Sequence, residues 1–489
     1  MKTLSQLIEW LKSSDKVKVV LVEVYNVKVG GSPTTLYLSN IPYTDSATGQ
    51  YYEPCIQGGI SFSESLNLDD SAYSLSYGDL EITNIDGTKD VWLEYIWANR
   101  GITILIGDAT WPRSDFRPIF KGVVSDVMSR NLDTLNIVLL DMLDKLNKPI
   151  SEAVIPSASA NLNTDTLIPV VFGECFNVAP LLTNSIPNSL EFQVHNGPIE
   201  SIIEVRDNGA PVSFTPNVST GTFNLNQAKY GEITCSVQGA KIAGVYSSTV
   251  ADVIKSIIIY SGNLLPMDAT NFSNMASIAP YDAGVYCTGR ENILDVCSQL
   301  ATSAGMQLVY SADSLLKLIK VDPSANNGAS YTITPEDIEL DSLNITTRSP
   351  VQSTTKLAFC KNWSVQDSGL AAGLPASAQQ QHSTEYIFAY NTDATSKADN
   401  LSVGEPEPEN VLLINYTGAN AEAARRTNLR KVARHVYGMT GFAHLLPLEL
   451  GDSITIFNSR FGMHVGKTGI VVSLEKDWLA GTVVIGVLV

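Results

Sequence analysis

The hydrophobic pattern of the chain predicts mostly β-structure arranged in several domains. A helix is the exception at the start, predicted over residues 1–15. Apolar residues recur there at helical spacing from Leu4 to Leu11. Thr3 and Gln6 fit a capping box at its N-terminus.

Residues 16–150 are predicted to form a first β-barrel or sandwich domain of a tube-like kind. Alternating or β-branched runs are separated there by turn residues such as Asp86-Gly87. A helix-like stretch, Val91–Ala98, interrupts them. The predicted strands are Val17–Val24, Thr35–Leu38, Leu80–Thr83, Ile102–Ile106, Ile119–Val127 and Leu135–Leu140.

A second β domain is predicted over residues 165–240, after a linker rich in Ser, Ala and Asn over residues 149–165. Asp207-Asn208-Gly209 predicts a hairpin turn, because two successive residues must adopt positive φ. The predicted strands are Pro169–Phe172, Leu190–His195, Ile202–Arg206 and Val212–Phe214.

Residues 241–330 are predicted to form a small α/β module. Its pattern changes from period two to helical spacing and back. The predicted elements are helices Val250–Ser261 and Glu291–Ala304 and strands Gln307–Tyr310 and Leu315–Ile319.

The last predicted domain, residues 331–489, is β-rich, with a helix over 419–437 followed by a closing β-barrel. Polar stretches at 366–382 and 392–410 are predicted as long loops that are functional, disordered or ordered by a partner. The predicted closing strands are Ser453–Phe457, Thr468–Leu474 and Thr482–Val489. The fold class expected for the whole chain is therefore mainly β and multidomain.

The charge balance disfavours binding to nucleic acid. The 489 residues include 50 Asp and Glu against 32 Lys and Arg, a net charge of −18. Such a surface repels phosphate backbones and gains nothing from counterion release. Two interpretations stay open: a protein that does not meet DNA, or a wall along which DNA slides without binding.

Cysteine spacing and hydropathy exclude further classes. No two of the six cysteines form a CxxC pair, so we expect buried reduced thiols, as in a protein made in a bacterial cytoplasm. We expect neither a signal peptide nor a membrane span, because no sustained apolar run is present.

No motif for catalysis is found, so we expect no enzyme and no catalytic, cofactor-binding or metal-binding residue. The five histidines include no HExxH pair, and neither G-x-S-x-G nor a phosphate-binding glycine motif occurs. Asp69-Asp70 and the carboxylates of Glu405, Glu407 and Glu409 are candidates for sugar cleavage by proximity alone. A solvated acidic surface is the simpler interpretation.

Four arginines are the candidate interface residues. Arg426, Arg430 and Arg434 recur every four residues on the predicted helix, and Arg425 lies beside them. Because guanidinium groups suit carboxylates, we expect pairing with the acidic surface of the same chain or of a neighbouring subunit, rather than with nucleic acid.

Several segments resemble a family of tail-tip (baseplate) hub proteins of long-tailed, non-contractile bacteriophages. Within this resemblance, the segment at 168–182 is the most specific. The segments are GGISFSESLNLDDSAYSLSYGDLEITNIDG at 58–87 with Trp92 and Gly107-Asp108, WPRSDFRPIFKGVV at 111–124, IPVVFGECFNVAPLL at 168–182, FQVH at 192–195, EVRDNG at 204–209, and LPLELGDSITIFNSRFGMHVGKTGIVVSLEKDW at 446–478.

The resemblance implies a structural subunit of the virion, placed at the tail tip. It implies a ring, commonly a trimer, whose two barrel-like domains per subunit continue the tail tube and through which DNA passes at infection. The implied partners are the distal tail protein, the tape-measure protein, and fibre or central spike proteins. Some tail-tip proteins carry an iron–sulfur cluster on clustered cysteines, a pattern that this sequence lacks.

Two other functions remain as alternatives. A tail-associated cell-wall hydrolase needs convergent carboxylates or a zinc site, and the scarce histidines disfavour zinc. A receptor-binding adhesin often has fibre-like or β-helix repeats, and none is seen here.

Overall fold

The structure is a computed structural model of the whole chain. It describes all residues except 59–60, 68–76, 156–165, 184–189, 263–264, 312–313, 325–326 and 402–403. Strands contain 43% and helices 19% of the residues, so the mainly β, multidomain prediction is confirmed. Of the helices in the described ranges, none is both long and apolar enough to cross a bilayer.

The chain opens with helix α1 (Leu4–Lys12), and its predicted capping box is present. The backbone N–H of Thr3 donates to Gln6 Oε1 at 2.9 Å, and the Gln6 N–H donates to Thr3 Oγ1 at 3.3 Å. Leu7 and Leu11 are buried on the inward face. Helix α1 therefore packs on the chain's own core.

Residues 16–150 form ten strands. Six of them overlap the six predicted runs, and β3 to β6 are strands that the pattern did not predict. The stretch predicted as helix-like, Val91–Ala98, contains a short 3-10 helix at Asp90–Glu94 instead. The strands are β1 (Lys18–Val29), β2 (Ser32–Ser39), β3 (Tyr43–Thr44), β4 (Tyr51–Pro54), β5 (Ile56–Gln57), β6 (Ser61–Ser65), β7 (Tyr77–Thr83), β8 (Arg100–Asp108), β9 (Arg117–Asn131) and β10 (Thr134–Asp141).

The middle of the chain contains the second group of strands and three helices. It comprises β11 (Val170–Val178), β12 (Leu181–Leu182), β13 (Glu191–Gln193), β14 (Ile199–Asp207), β15 (Ala210–Pro211), β16 (Phe214–Asn217), β17 (Thr222–Leu225), β18 (Ile233–Ile242), β19 (Val245–Tyr246), α2 (Val250–Tyr260), α3 (Ala269–Ile278), β20 (Gly284–Cys287), α4 (Ile293–Ser303), β21 (Met306–Tyr310) and β22 (Leu316–Lys320).

The predicted hairpin turn is present, because Asn208 and Gly209 both have positive φ, 50° and 78°. It joins β14 to β15, in the sheet ordered β15-β14-β18-β11-β20. The predicted strand Val212–Phe214 is wrong. Residues 210–211 and 214–217 pair with different partners, so the chain changes sheets between them.

Helix α3 was not predicted, because its sequence ATNFSNMASI has only a weak apolar stripe. Asn271 on this helix is buried and bonds the backbone of Leu318 on β22 in both directions. Its Nδ2 donates to the carbonyl at 3.0 Å, and the Leu318 N–H donates to Oδ1 at 2.7 Å. A tertiary contact thus stabilises what the pattern alone did not indicate.

The C-terminal part completes the chain with strands and three more helices. It comprises β23 (Ser330–Ile333), β24 (Asn344–Arg348), β25 (Thr354–Phe359), α5 (Ala376–Ser383), β26 (Ile387–Thr392), α6 (Ala394–Asp399), β27 (Glu409–Asn410), α7 (Tyr416–Arg430), β28 (His435–Phe442), β29 (Ser453–Ile456), β30 (Lys467–Asp477) and β31 (Thr482–Leu488). The two stretches predicted as loops, 366–382 and 392–410, thus contain α5 and α6.

The helix predicted over 419–437 spans Tyr416–Arg430 instead, and residues 435–437 begin β28. Strand β28 lies between β24 and β31 and pairs antiparallel with both. Pairing in the sheet therefore ends the helix earlier than the arginine spacing implied. Arg434 lies outside the helix as a consequence.

The N-terminal and C-terminal strands belong to one 16-stranded sheet. Thirteen of its strands pair in the order β24-β28-β31-β30-β6-β7-β10-β9-β8-β1-β2-β4-β3. Beside this path, β29 pairs with β23 and β30, and β5 pairs with β7. The junction is the antiparallel pair β6–β30, from Ser65 opposite Ser473 to Ser61 opposite Asp477. A single hydrophobic core underlies both halves and includes Val22 and Ile485.

The prediction of a closing β-barrel is wrong, since the described strands form no closed barrel. Strands β24 and β3 lie at opposite ends of the order and do not pair with each other. The two halves join through β6 and β30, so neither half closes on itself.

Candidate functional site

Helix α7 places Arg425 and Arg426 around a single buried carboxylate, that of Glu422. Arg425 donates from Nε to Oε2 at 2.8 Å and from Nη2 to Oε1 at 2.6 Å. Arg426 donates from Nε to Oε1 at 2.9 Å. The Glu422 side chain has no exposed surface, and Lys320 Nζ on β22 lies 3.5 Å from its Oε2. These residues tie α7 to the α/β module.

A second carboxylate, Glu409 on β27, continues this cluster outward. Its Oε2 accepts a bond from Arg426 Nη1 at 2.5 Å, and its Oε1 accepts one from Arg430. Arg434 instead donates from Nε to the carbonyl oxygen of Leu429 at 3.1 Å, at the C-terminal end of α7. The arginines expected to form one helical stripe therefore have three different partners, namely the Glu422 carboxylate, the Glu409 carboxylate and the carbonyl oxygen of Leu429.

The electrostatics of the cluster follow from burial and from opposite charges. Burial alone would raise the pKa of Glu422, but Arg425, Lys320 and Arg426 outweigh it and lower that pKa to about 2. Burial lowers the pKa of Lys320 to about 8, against the attraction of Glu422. The carboxylate is thus held in its charged form.

Arg425, Arg426 and Arg430 contact carboxylates of their own chain, one of the two pairings that the sequence left open. Their contact with a neighbouring subunit stays a prediction, as does that of Arg434. The sequence did not indicate Glu422 or Lys320, and Glu409 was interpreted as solvated surface. The one feature of the sequence that could have indicated this cluster was a group of arginines in an otherwise acidic chain.

The large sheet presents a strand at one end whose outer side is free of any described strand. Every residue of β24 is exposed, and Ile345 on it is 41% exposed. At the other end, β4 covers only Leu38 and Ser39 of β2, so the first half of β2 is open. Free strand edges carry unpaired backbone groups that can pair with another chain.

Residues in the segments that resemble the hub family pack and form bonds within the fold. A Cβ on Gly107 would lie 2.6 Å from the Phe116 ring, so glycine is required for that packing. Arg113 binds the buried Glu23 carboxylate through Nε at 2.7 Å and Nη2 at 2.8 Å. Gly173 has φ of +67° against a backbone carbonyl. Part of the first segment lies outside the described residues.

His195 is buried, and its contacts are with the backbone and with aromatic rings of the core. Its Nδ1 accepts the backbone N–H of Val171 at 3.1 Å, and its ring contacts the rings of Phe172 and Tyr260. Burial lowers its pKa to about 4. Over the described ranges, no three His, Cys, Asp or Glu side chains are grouped so as to hold a metal ion. Asp69-Asp70 lies outside those ranges.

Comparison with known proteins finds similarity among solved structures alone. No family model matches the chain, and no curated protein sequence matches it. The 43 kDa tail protein of prophage MuSo2 from Shewanella oneidensis is 13% identical, with a TM-score of 0.42, over 96% of this chain and 98% of that chain.

Two further structures are similar over a comparable length. The tail protein from Neisseria meningitidis MC58 is 9% identical with a TM-score of 0.42, over 96% of both chains. Prophage tail protein gp18 from Listeria monocytogenes EGD-e is 9% identical with a TM-score of 0.43, over 96% of this chain and 94% of that chain.

Proposed function

We propose that this chain is a non-enzymatic structural subunit of a bacteriophage tail tip, in which copies assemble into a symmetric, trimeric hub ring. The ring closes or continues the tail tube, lets DNA pass at infection, and anchors the distal tail, tape-measure and fibre or spike proteins. The sequence segments that resemble such hubs support this proposal from both ends of the chain.

The observation that carries the proposal is the open 16-stranded sheet with free edges at β24 and β2. Its two edges differ, so pairing β24 of one copy with β2 of the next is a heterologous contact. Heterologous contacts close into a ring when the rotation between copies allows it. The net charge of −18 also suits a wall that DNA passes, since like charges do not bind.

The test is the mass of the purified chain in solution, measured by native mass spectrometry alone and with the distal tail protein. We expect trimers of the 52.8 kDa chain, or trimers that form only on the distal tail ring. A lysine on the free edge, Ile345→Lys, should abolish them, because a charge at an edge strand blocks pairing.

Val245→Lys is the matched control, since Val245 is 65% exposed on β19, in a different sheet. It should leave the trimer intact. A monomer that ignores tail proteins would overturn the proposal. A trimer that Ile345→Lys leaves unchanged would overturn the pairing through β24.

A further inference from the structure

A cleft of about 500 Å³ opens between α4 and the chain that surrounds β26 and β27. We call it the polar cleft. Its volume is in the range of pockets that hold small ligands. It is separate from the free sheet edges. It borders the cluster around Glu422, because Arg426 Nη2 donates to the carbonyl oxygen of Thr302, a residue that lines the cleft, at 2.6 Å. The residues that give it its chemistry are Asp295, Gln299, Lys361, Trp363, Tyr386 and Asn410.

One wall of the polar cleft is the outer face of α4. Asp295 and Gln299 lie four residues apart and thus on the same face, both exposed, while Leu294 and Leu300 are buried in the core. Among the hydrogen bonds of the described residues, none engages the side chains of Asp295, Gln299 or Asn410. One carboxylate and two carboxamides are therefore available to a ligand.

The opposite wall is held rigidly by Asn362, which is 3% exposed. Its Nδ2 donates to the carbonyl oxygens of His382 at 2.8 Å and Thr384 at 3.1 Å, and its Oδ1 accepts from Asn177 Nδ2 at 2.9 Å. Its backbone N–H donates to the Glu385 carbonyl at 2.8 Å. This network fixes the neighbouring cleft residues before any ligand binds.

Those neighbours supply aromatic rings and one cation. Lys361 Nζ lies 4.4 Å from the centre of the Trp363 ring. Trp363 and Tyr386 are half-buried, and both line the cleft. The cleft thus combines aromatic surface with hydrogen-bonding groups of both kinds.

This combination disfavours most ligand classes. A phosphate or nucleotide would meet the carboxylates of Asp295 and Glu291. An apolar ligand would desolvate Asp295, Gln299 and Asn410 without replacing their hydrogen bonds with water. A ligand rich in hydroxyl groups suits all of them, because each hydroxyl both donates and accepts.

We propose that the polar cleft is a carbohydrate-binding site that holds a short oligosaccharide. Asp295, Gln299 and Asn410 bond its hydroxyls, and Lys361 donates to a hydroxyl or ring oxygen. The weakly positive C–H face of a sugar ring packs on the electron-rich ring of Tyr386. The proposal goes beyond the hub role and does not depend on assembly into a ring.

The test presents the full-length chain to an array of bacterial surface polysaccharides, soluble peptidoglycan fragments, chitotetraose and maltotetraose. The strongest soluble binder is then titrated by calorimetry. Gln299→Ala and Asp295→Ala should each weaken binding about tenfold, the loss expected for one hydrogen bond. Both side chains are exposed, so the variants should keep the fold, which circular dichroism checks.

Asn274→Ala is the matched control, an exposed carboxamide on α3 outside the cleft, and should bind as the unchanged chain does. Binding that falls in the two cleft variants and not in the control supports the site. Binding that all three variants retain places the sugar elsewhere and overturns it. The absence of binding to every glycan tested overturns it as well.

Discussion

Glu422 shows how a single residue can hold two elements together. Its carboxylate accepts bonds from Arg425 and Arg426 within α7 and lies near Lys320 on β22. A buried ion pair adds little net stability over an apolar contact of the same shape. Removing one partner is costly, because it leaves the remaining charges buried and uncompensated.

Glu422→Gln should lower the free energy of unfolding by about 3–5 kcal/mol, since it removes the buried counter-charge that Arg425, Arg426 and Lys320 share. The measurement is urea denaturation followed by circular dichroism. Glu9→Gln, the same change on the exposed side of α1, is the control and should have almost no effect.

The stability that Glu422→Gln loses should depend on pH. The Glu422 pKa falls from 4.5 to about 2 on folding, so its stabilisation is complete above about pH 4.5. It is lost as the pH falls toward 2. The difference in stability between the unchanged chain and Glu422→Gln should therefore shrink over this window. A difference independent of pH would mean that packing, not charge, is lost.

At the scale of elements, the segment 361–386 is the clearest departure from expectation. It was predicted in large part as a loop, yet it contains α5 and docks on β11. Asn177 Nδ2 on β11 donates to Asn362 Oδ1 at 2.9 Å and to the Ser364 carbonyl at 2.7 Å. His382 stacks on Phe176 with ring centres 5.8 Å apart. Two buried asparagines thus order a polar segment.

Asn362→Ala should release this segment, because it removes the amide that bonds the backbone carbonyls of Gln381, His382 and Thr384. We expect a loss of about 1–3 kcal/mol, the cost of leaving buried polar groups unpaired. Limited proteolysis should then cut within 364–384. Asn428→Ala, an exposed asparagine on α7, should leave the cutting pattern unchanged. Protection that persists in Asn362→Ala would contradict this role.

At the scale of the whole molecule, the pair β6–β30 makes the two ends of the chain one structure. Phe62 on β6 is 2% exposed and stacks on Phe120 of β9, with ring centres 4.8 Å apart and planes 2° apart. The core beneath contains side chains from both ends. Residues from the two ends of the chain therefore pack in one hydrophobic core.

Phe62→Ala should destabilise both halves of the sheet together, by about 3–5 kcal/mol for a buried phenylalanine. Hydrogen exchange should quicken in β1 and in β31 alike. Phe388→Ala is the control, because Phe388 is 43% exposed. Faster exchange in only one of the two strands would show that the halves are independent units.

The sequence by itself determined the local elements whose signals are contained in a few neighbouring residues. The α1 capping box, the Asn208-Gly209 turn and the alternating strands follow from backbone preferences and side-chain periodicity. The absence of known catalytic motifs and the acidic balance could also be read directly. These features need no information about which segments meet.

Only the tertiary structure decided what depends on contacts between distant segments. Helix α7 ends at Arg430 because β28 is needed in the sheet, α3 exists because Asn271 meets β22, and α5 forms in a segment docked by Asn362. The polar cleft joins residues more than a hundred positions apart. Periodicity records which face of an element is buried, but not which partner buries it, and long-range pairing supplies that partner.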